Sequence, residues 1–353
     1  MKIDMKTIYL KPRRHSSTLP AIRYPLHAIR STLYAIRSTL PATRYPLHAP
    51  RSPLPAIRYT LYALIIILIL SPYSLTPTPY SLPAIRYPLH ALRSTLYAQE
   101  KMVLIPAGAF IMGSPEKSDL PEDEKPSHMV YIDNFYMDIF EVTNKEFAEF
   151  LNTVKPDEAT RKSWIVLRSD LKTEERKEWW PAEIVYEDGI YKPVKGFESH
   201  PVNSVSWYAA DAYCRWLGKR LPTEAEWEKA ARGGLKGKLY PWGDAYPTTG
   251  IIYNKVWIDN AFPVPTSPVG NYHPNGYGLY DMAGNVAEWV NDWYDPDYYK
   301  RSPKDNPQGP SSGREKVIRG GSWAGGAQSI RVSARGHAQP DSMPSGVGFR
   351  CVR

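Results

Sequence analysis

Every glycine, every tryptophan and both cysteines of this chain lie beyond residue 98. A packed domain needs glycine for its tight turns, so a stretch of 98 residues without one points to folded structure only beyond this boundary. Before the boundary, leucine recurs at every seventh position from Leu19 through Leu96, and Arg23, Arg30, Arg37, Arg44, Arg51 and Arg58 keep the same interval. Leu26, Ile29, Leu33, Ile36 and Leu40 occupy a and d positions of a heptad, as a coiled coil would require. Pro25, Pro41, Pro46 and Pro50 remove backbone donors and clash with the preceding turn, leaving too short a window for that coil. Residues 1–98 therefore read as low-complexity sequence. They are either the relic of in-frame duplication of seven codons, or a linker or cationic arm in extended conformation with one short helix between Leu26 and Leu40.

Charge divides at the same place. Thirteen of the 44 Lys and Arg but one of the 36 acids fall in residues 1–98, leaving 31 basic against 35 acidic side chains beyond. The folded part is mildly acidic and is expected to offer no nucleic-acid surface, and membrane contact is expected only through the N-terminal segment. Within that segment Tyr59–Leu70 is apolar and ends at Ser71-Pro72; it is short for a membrane span but suits the core of an export signal. Leu96-Tyr97-Ala98 resembles a cleavage site, although its distance from Leu70 is long. An export signal expanded by repeats, or a start codon placed too early, accounts for both spacings. The expected location is exported, periplasmic or extracellular, or membrane-tethered.

From Met102, MVLIPAGAFIMGS reads as a strand, a turn and a second strand, followed by a polar loop over Pro115–Ser127 and the strand-like MVYIDNFYMDIFEVT. Thr143 with Glu146 forms a capping box that starts a helix carrying Phe147, Phe150 and Leu151 on one face. A second helix begins at Ser206, buries Trp207, Ala210, Cys214 and Leu217, and stops at Gly218. A third pairs Thr223 with Glu226, turns Trp227 and Ala230 inward, and stops at Gly233-Gly234. Glu226 therefore has a structural task. Beyond Gly234 turn formers and aromatics dominate, and loops of that kind need polar side chains or bound cations to satisfy their amides.

Several stretches in order carry a resemblance: IPAGAFIMGS, IDNFYMDIFEVTNKEF, HPVNSVSWYAADAYCRWLGKRLPTEAEWEKAARGG, YPWGD, PNGYGLYDMAGNVAEWVNDWY, VIRGGSW and GVGFRCVR. Together they resemble the formylglycine-generating enzyme family, or sulfatase-modifying factors, over residues 101–353. The resemblance implies one α+β domain of the C-type-lectin-like formylglycine-generating-enzyme fold, loop-rich with few helices and short strands, holding structural calcium. It assigns one calcium loop to Asp281, Gly284, Val286 and Glu288, and the oxygen chemistry agrees, since a hard cation takes carboxylates and carbonyls and Gly284 permits the bend. Against it stands Asp281 as a turn former with Glu288 solvated. A second site would fall on Asn254 and Lys255. The resemblance also pairs Cys214 with Cys351 as a structural disulfide.

The chain departs from the family's oxidases where copper would bind. Those members use two cysteines after the GGS motif to convert a substrate cysteine to formylglycine with dioxygen, and here GGSWAGGAQSIRVSAR has none. Copper(I) prefers thiolates, which neither Ser329 nor Ser333 replaces, so copper is not expected. Ala287 stands where the enzymes carry Trp beside the substrate. Ser322, Trp323 and Ala287 mark the candidate pocket, with Ser322 either an active-site remnant or a turn cap. The eight histidines are never closer than twelve residues, so no helical histidine metal pair exists, and GGLKGK lacks the P-loop spacing. Trp289, Trp293, Tyr294, Tyr298 and Tyr299 could line a groove or form aromatic core. The expected function is a calcium-stabilised binding or accessory module taking a peptide, protein or carbohydrate ligand. The alternative is an oxidoreductase acting on sulfatase cysteines.

Overall fold

The computed structural model describes residues 101–172, 175, 180–247 and 266–353. The repeat segment, its apolar stretch at 59–70, and Asn254 and Lys255 lie outside the described residues. The chain divides by backbone contacts into two units, 1–79 and 80–353, and all described residues belong to the second.

Elements are short and the architecture is α+β. Strand β1 (Met102–Ile105) pairs antiparallel with β4 (Phe135–Asp138), and β2 (Gly108–Met112) pairs with β3 (His128–Ile132). The strand-turn-strand start is thus present, but its two strands join different partners. Alternation sends Val130, Ile132, Phe135 and Met137 into the core and leaves Met129 and Tyr136 outside. Helix α1 (Asn144–Val154) starts at the Thr143–Glu146 capping box and buries Phe147, Phe150 and Leu151. Helix α2 (Glu158–Trp164) comes next, capped by Asp157. Strands β5 (Ile184–Glu187) and β6 (Ile190–Pro193) form a hairpin around Asp188-Gly189, both at positive φ, as a two-residue turn matched to strand twist requires.

Helix α3 (Trp207–Trp216) is capped by Ser206, and α4 (Glu224–Arg232) begins at the second capping box and ends at left-handed Gly233. In α3 the expected buried stripe is shifted: Ala209, Ala210, Tyr213 and Cys214 are buried, whereas Trp207 and Leu217 are half-buried. Trp207 is held at the margin because its indole N–H donates to the Val290 carbonyl (2.8 Å) and its ring stacks on the Lys316 ammonium, 4.1 Å away. The remaining strands are β7 (Ala287–Trp293), β8 (Lys316–Arg319), β9 (Gly336–Ala338) and β10 (Val347–Gly348), in the order β10-β7-β8-β9 with β10 parallel to β7.

β7 divides the interior. Ala287 and Trp289 pack with Phe147, Phe150, Tyr213 and Phe349, while Val290 belongs to a second cluster with Ile105, Val130, Met137 and Trp227. Cys214 and Cys351 are joined as a disulfide, tying α3 to the C-terminal segment. Polar ties are buried too. Glu228 accepts from the Gly113 amide (2.8 Å), from Arg232 Nη2 (2.6 Å) and from Arg319 Nη2 (2.7 Å).

These ties set two stability outcomes. Glu228→Gln is expected to cost about 3–5 kcal/mol in urea unfolding, because it removes the one carboxylate that Arg232 holds and leaves buried Arg319 sharing Glu224 with Arg335; Glu158→Gln, at an exposed pair with Lys162, should leave the midpoint unchanged. Burial, and then Glu224 nearby, pushes the Asp292 carboxyl up to about 8. The folded state therefore holds a proton that the unfolded chain releases above its ordinary carboxylate range, so stability falls as pH rises from about 4 to about 8. Asp292→Asn should flatten that fall in thermal melts recorded across the window.

Candidate functional site

The loop from Asp281 to Glu288 coils because Asp281, Gly284 and Asn285 all adopt positive φ. Each turn of that coil is pinned. Asp281 Oδ2 accepts from the Gly270 amide (2.7 Å), the Gly284 amide donates to the Gly320 carbonyl (3.0 Å), and the Asn285 carbonyl accepts from the Trp323 amide (2.9 Å). Asn285 Nδ2 donates to Glu141 Oε2 (2.7 Å) and the Val286 amide to Glu141 Oε1 (3.1 Å). At the end of the loop Glu288 is buried, not solvated. Arg350 donates to it from Nε (2.9 Å) and Nη2 (2.7 Å), and Trp227 Nε1 donates to Oε2 (2.9 Å).

The electrostatics of this loop are lopsided. Glu141, Asp281 and Glu288 act on one another and on Arg350, so three buried carboxylates share one guanidinium. Burial first, and then the Asp281 charge, hold the Glu141 carboxyl well above the usual range; burial also raises Asp281. Among the described residues no three Asp, Glu, His or Cys side chains converge as a metal-holding group. A cation here would draw on the carbonyls of Gly284 and Val286 beside Asp281, and would share Glu288 with Arg350. Hard oxygen donors with surplus negative charge fit a hard divalent cation. Glu141 is not among the residues that motif and spacing single out, though its position between Phe140 and Val142, a lone acid in an apolar run, is a usable signal.

Directly across lies the GGSW segment. Ser322 Oγ accepts from the Ala324 amide (3.3 Å), the geometry of a turn cap. Trp323 is buried edge-on to Trp180, with ring centroids 5.6 Å apart, and its Nε1 has no hydrogen-bond partner among the described residues. Gly346 joins the three candidate pocket residues. Its carbonyl accepts from the Ala287 amide (2.8 Å), and a side chain there would come within 3.0 Å of Trp323 Nε1 and 3.1 Å of Ser322 Oγ. The absence of a side chain at Gly346 is therefore what lets Trp323 and Ser322 pack this closely on the chain.

The next two serines along the chain are both engaged. Ser329 Oγ donates to the Gly326 carbonyl (2.8 Å) and packs against Gly321 and Gly325 so closely that neither could carry a Cβ in place. Ser333 is buried, with its Oγ 2.7 Å from Glu124 Oε2, while Arg331 clamps the same carboxylate at 2.6 and 2.7 Å. The aromatic set divides as well. Trp289, Tyr298 and Tyr299 are buried in the core and Trp293 faces the Lys316 ammonium at 3.8 Å, so they do not form one groove.

Comparison with known proteins places this geometry. The profile of the sulfatase-modifying factor enzyme 1-like domain matches residues 91–353. The formylglycine-generating enzyme of Mus musculus is 38% identical over 282 residues, covering 72% of this chain and 75% of that protein. The inactive C-alpha-formylglycine-generating enzyme 2 of the same organism is 37% identical over 281 residues, covering 71% and 85%. Among solved structures, PvdO from Pseudomonas aeruginosa superposes with a TM-score of 0.55 at 28% identity, covering 71% of this chain and 93% of its own. A profile spanning most of the chain, and relatives of this identity over most of their length, establish that the chain belongs to the formylglycine-generating enzyme, or sulfatase-modifying factor, family.

Proposed function

We propose that residues 101–353 form a calcium-stabilised binding or accessory module of this family and not an oxidase of cysteine. The observation that carries the reading is the state of sulfur in the chain. Its two cysteines, Cys214 and Cys351, are bonded to each other, so no thiolate remains to hold copper(I). The segment after GGSW has serine where sulfur would be needed, and both Ser329 and Ser333 already spend their hydroxyls on neighbouring oxygens. The murine relative described as inactive is in keeping with a family scaffold serving without that chemistry.

The ligand would bind beside the candidate pocket residues Ser322, Trp323 and Ala287, with Trp180 as an aromatic neighbour. An unpartnered indole N–H beside a hydroxyl suits a peptide, protein or carbohydrate oxygen. The acidic balance of the folded part argues against nucleic acid. A buried disulfide supports an exported location, because such bonds persist in oxidising compartments. No described helix is long and apolar enough to cross a membrane. Calcium at the Asp281–Glu288 loop would relieve its carboxylate surplus, and Asn254 and Lys255 remain the proposed second site.

The 38% identity to the murine enzyme favours the other reading, conversion of a sulfatase cysteine to formylglycine. Incubating the purified protein with oxygen, copper(I) and a sulfatase-type cysteine peptide separates the two by mass spectrometry. No aldehyde product is expected, and aldehyde formed at enzymatic speed, or stoichiometric copper(I) binding in the low-nanomolar range, overturns the proposal. Chelation should lower the thermal midpoint, with calcium but not magnesium restoring it. Saturating calcium at about a hundred times its Kd would contribute about 2.7 kcal/mol, and Asp281→Ala should abolish the response. An unchanged midpoint after exhaustive chelation removes the calcium assignment.

A further inference from the structure

A cavity of about 600 Å³ opens between the first half of α1 and the end of α3, lined by neither the GGSW segment nor Asp281–Glu288. Phe140, Tyr213 and Trp216 give it aromatic walls. Two ion pairs inside it are closed on themselves, Lys101 with Glu146 at 2.8 Å and Lys219 with Asp138 at 2.6 Å. What remains charged on the lining is Glu149 and Glu198 against Lys145, since the Glu141 carboxyl, although that residue also lines the cavity, is buried against Asn285 and Val286.

Neither Glu149 nor Glu198 has a salt-bridge partner among the described residues. The Glu198 carboxylate accepts only from the Gly196 amide (2.8 Å). The first turn of α1 points into the same region, and a helix N-terminus ordinarily favours an anion. Here its amides are already satisfied: Asn144 donates to the His200 carbonyl (2.9 Å), Lys145 to the Glu198 carbonyl (3.2 Å) and Glu146 to Thr143 Oγ1 (3.3 Å). An anion would find no free donor there and net negative charge around it. A cation would find ring faces and uncompensated carboxylates.

We propose that this cavity binds a small organic cation carrying a primary ammonium or guanidinium group. Glu149 and Glu198 would draw it in, and the rings would take its aliphatic body and charged head. The site does not depend on whether the GGSW segment is catalytic or a binding surface.

Isothermal titration of the full chain with agmatine, which carries both cationic groups, tests this, with glutarate as the anionic control. The expected result is saturable one-to-one binding that weakens at higher salt and weakens roughly fivefold in the Glu149→Gln, Glu198→Gln double variant. Each single variant should lose part of that, with thermal midpoints unchanged to show that the fold persists. Absence of saturable binding at millimolar agmatine, equal affinity in the double variant, or glutarate binding as well as agmatine overturns the proposal.

Discussion

Arg319 holds the irregular half of the molecule in register. Its guanidinium is fully buried and donates to Glu224 (2.9 Å), to Glu228 (2.7 Å) and to the Val332 carbonyl (2.6 Å). Glu224 is held at the same time by Arg335 through Nε and Nη2, and Glu228 by Arg232 and by the Gly113 amide just past β2. One array of charges therefore ties α4, β8, the segment after GGSW and the end of β2. Desolvated ions stabilise only when their donors and acceptors are met by good geometry, and removing one member leaves the others costly. That makes the array close to all-or-none, and it sets where Gly320 and Ser322 emerge.

The same physics explains how so little regular secondary structure suffices. A loop buried without a ladder must find acceptors for its amides, and here carboxylates and one asparagine provide them. Glu141 accepts from Val286, Asp281 from Gly270, Asp138 from Cys351, and Asn275 Oδ1 from Tyr277 and Leu279. Acidic side chains in this fold are thus mostly scaffolding. Glu226, in its capping box and paired with Arg220 at 2.6 Å, is of that kind.

What can be read from the sequence is local. Both Thr and Glu capping boxes are legible because their partners lie three residues apart, and the inward faces of α1 and α4 come from helical spacing. The hairpin at Asp188-Gly189 carries an equally local signal in its turn dipeptide, as does the Asp157 cap of α2, yet neither is among the elements expected from the sequence. The stripe of α3 differs from expectation because Trp207 is held by Val290 and Lys316, residues more than eighty positions away. Likewise Glu228 with Arg232 looks like an exposed helical pair until Arg319 and Gly113 cover it. The candidate pocket is legible as a set of residues, but Gly346, which brings Ser322, Trp323 and Ala287 together, is hidden by its distance along the chain.

The cysteine-free GGSW segment and the coiled acidic loop lie apart in the sequence, yet the geometry joins them. The loop touches the GGSW segment at two backbone hydrogen bonds, Gly284 to Gly320 and Trp323 to Asn285. Anything that neutralises Asp281, Glu141 and Glu288 therefore also fixes the wall that carries Ser322 and Trp323. In an oxidase that rigidity would position a metal. In this chain, where the two cysteines are bonded to each other, the same rigidity sets the place of the buried Trp323 indole. The residues after GGSW close on themselves, since Gly321 and Gly325 lie too near Ser329 to carry a Cβ and the Ser329 hydroxyl is spent on the Gly326 carbonyl.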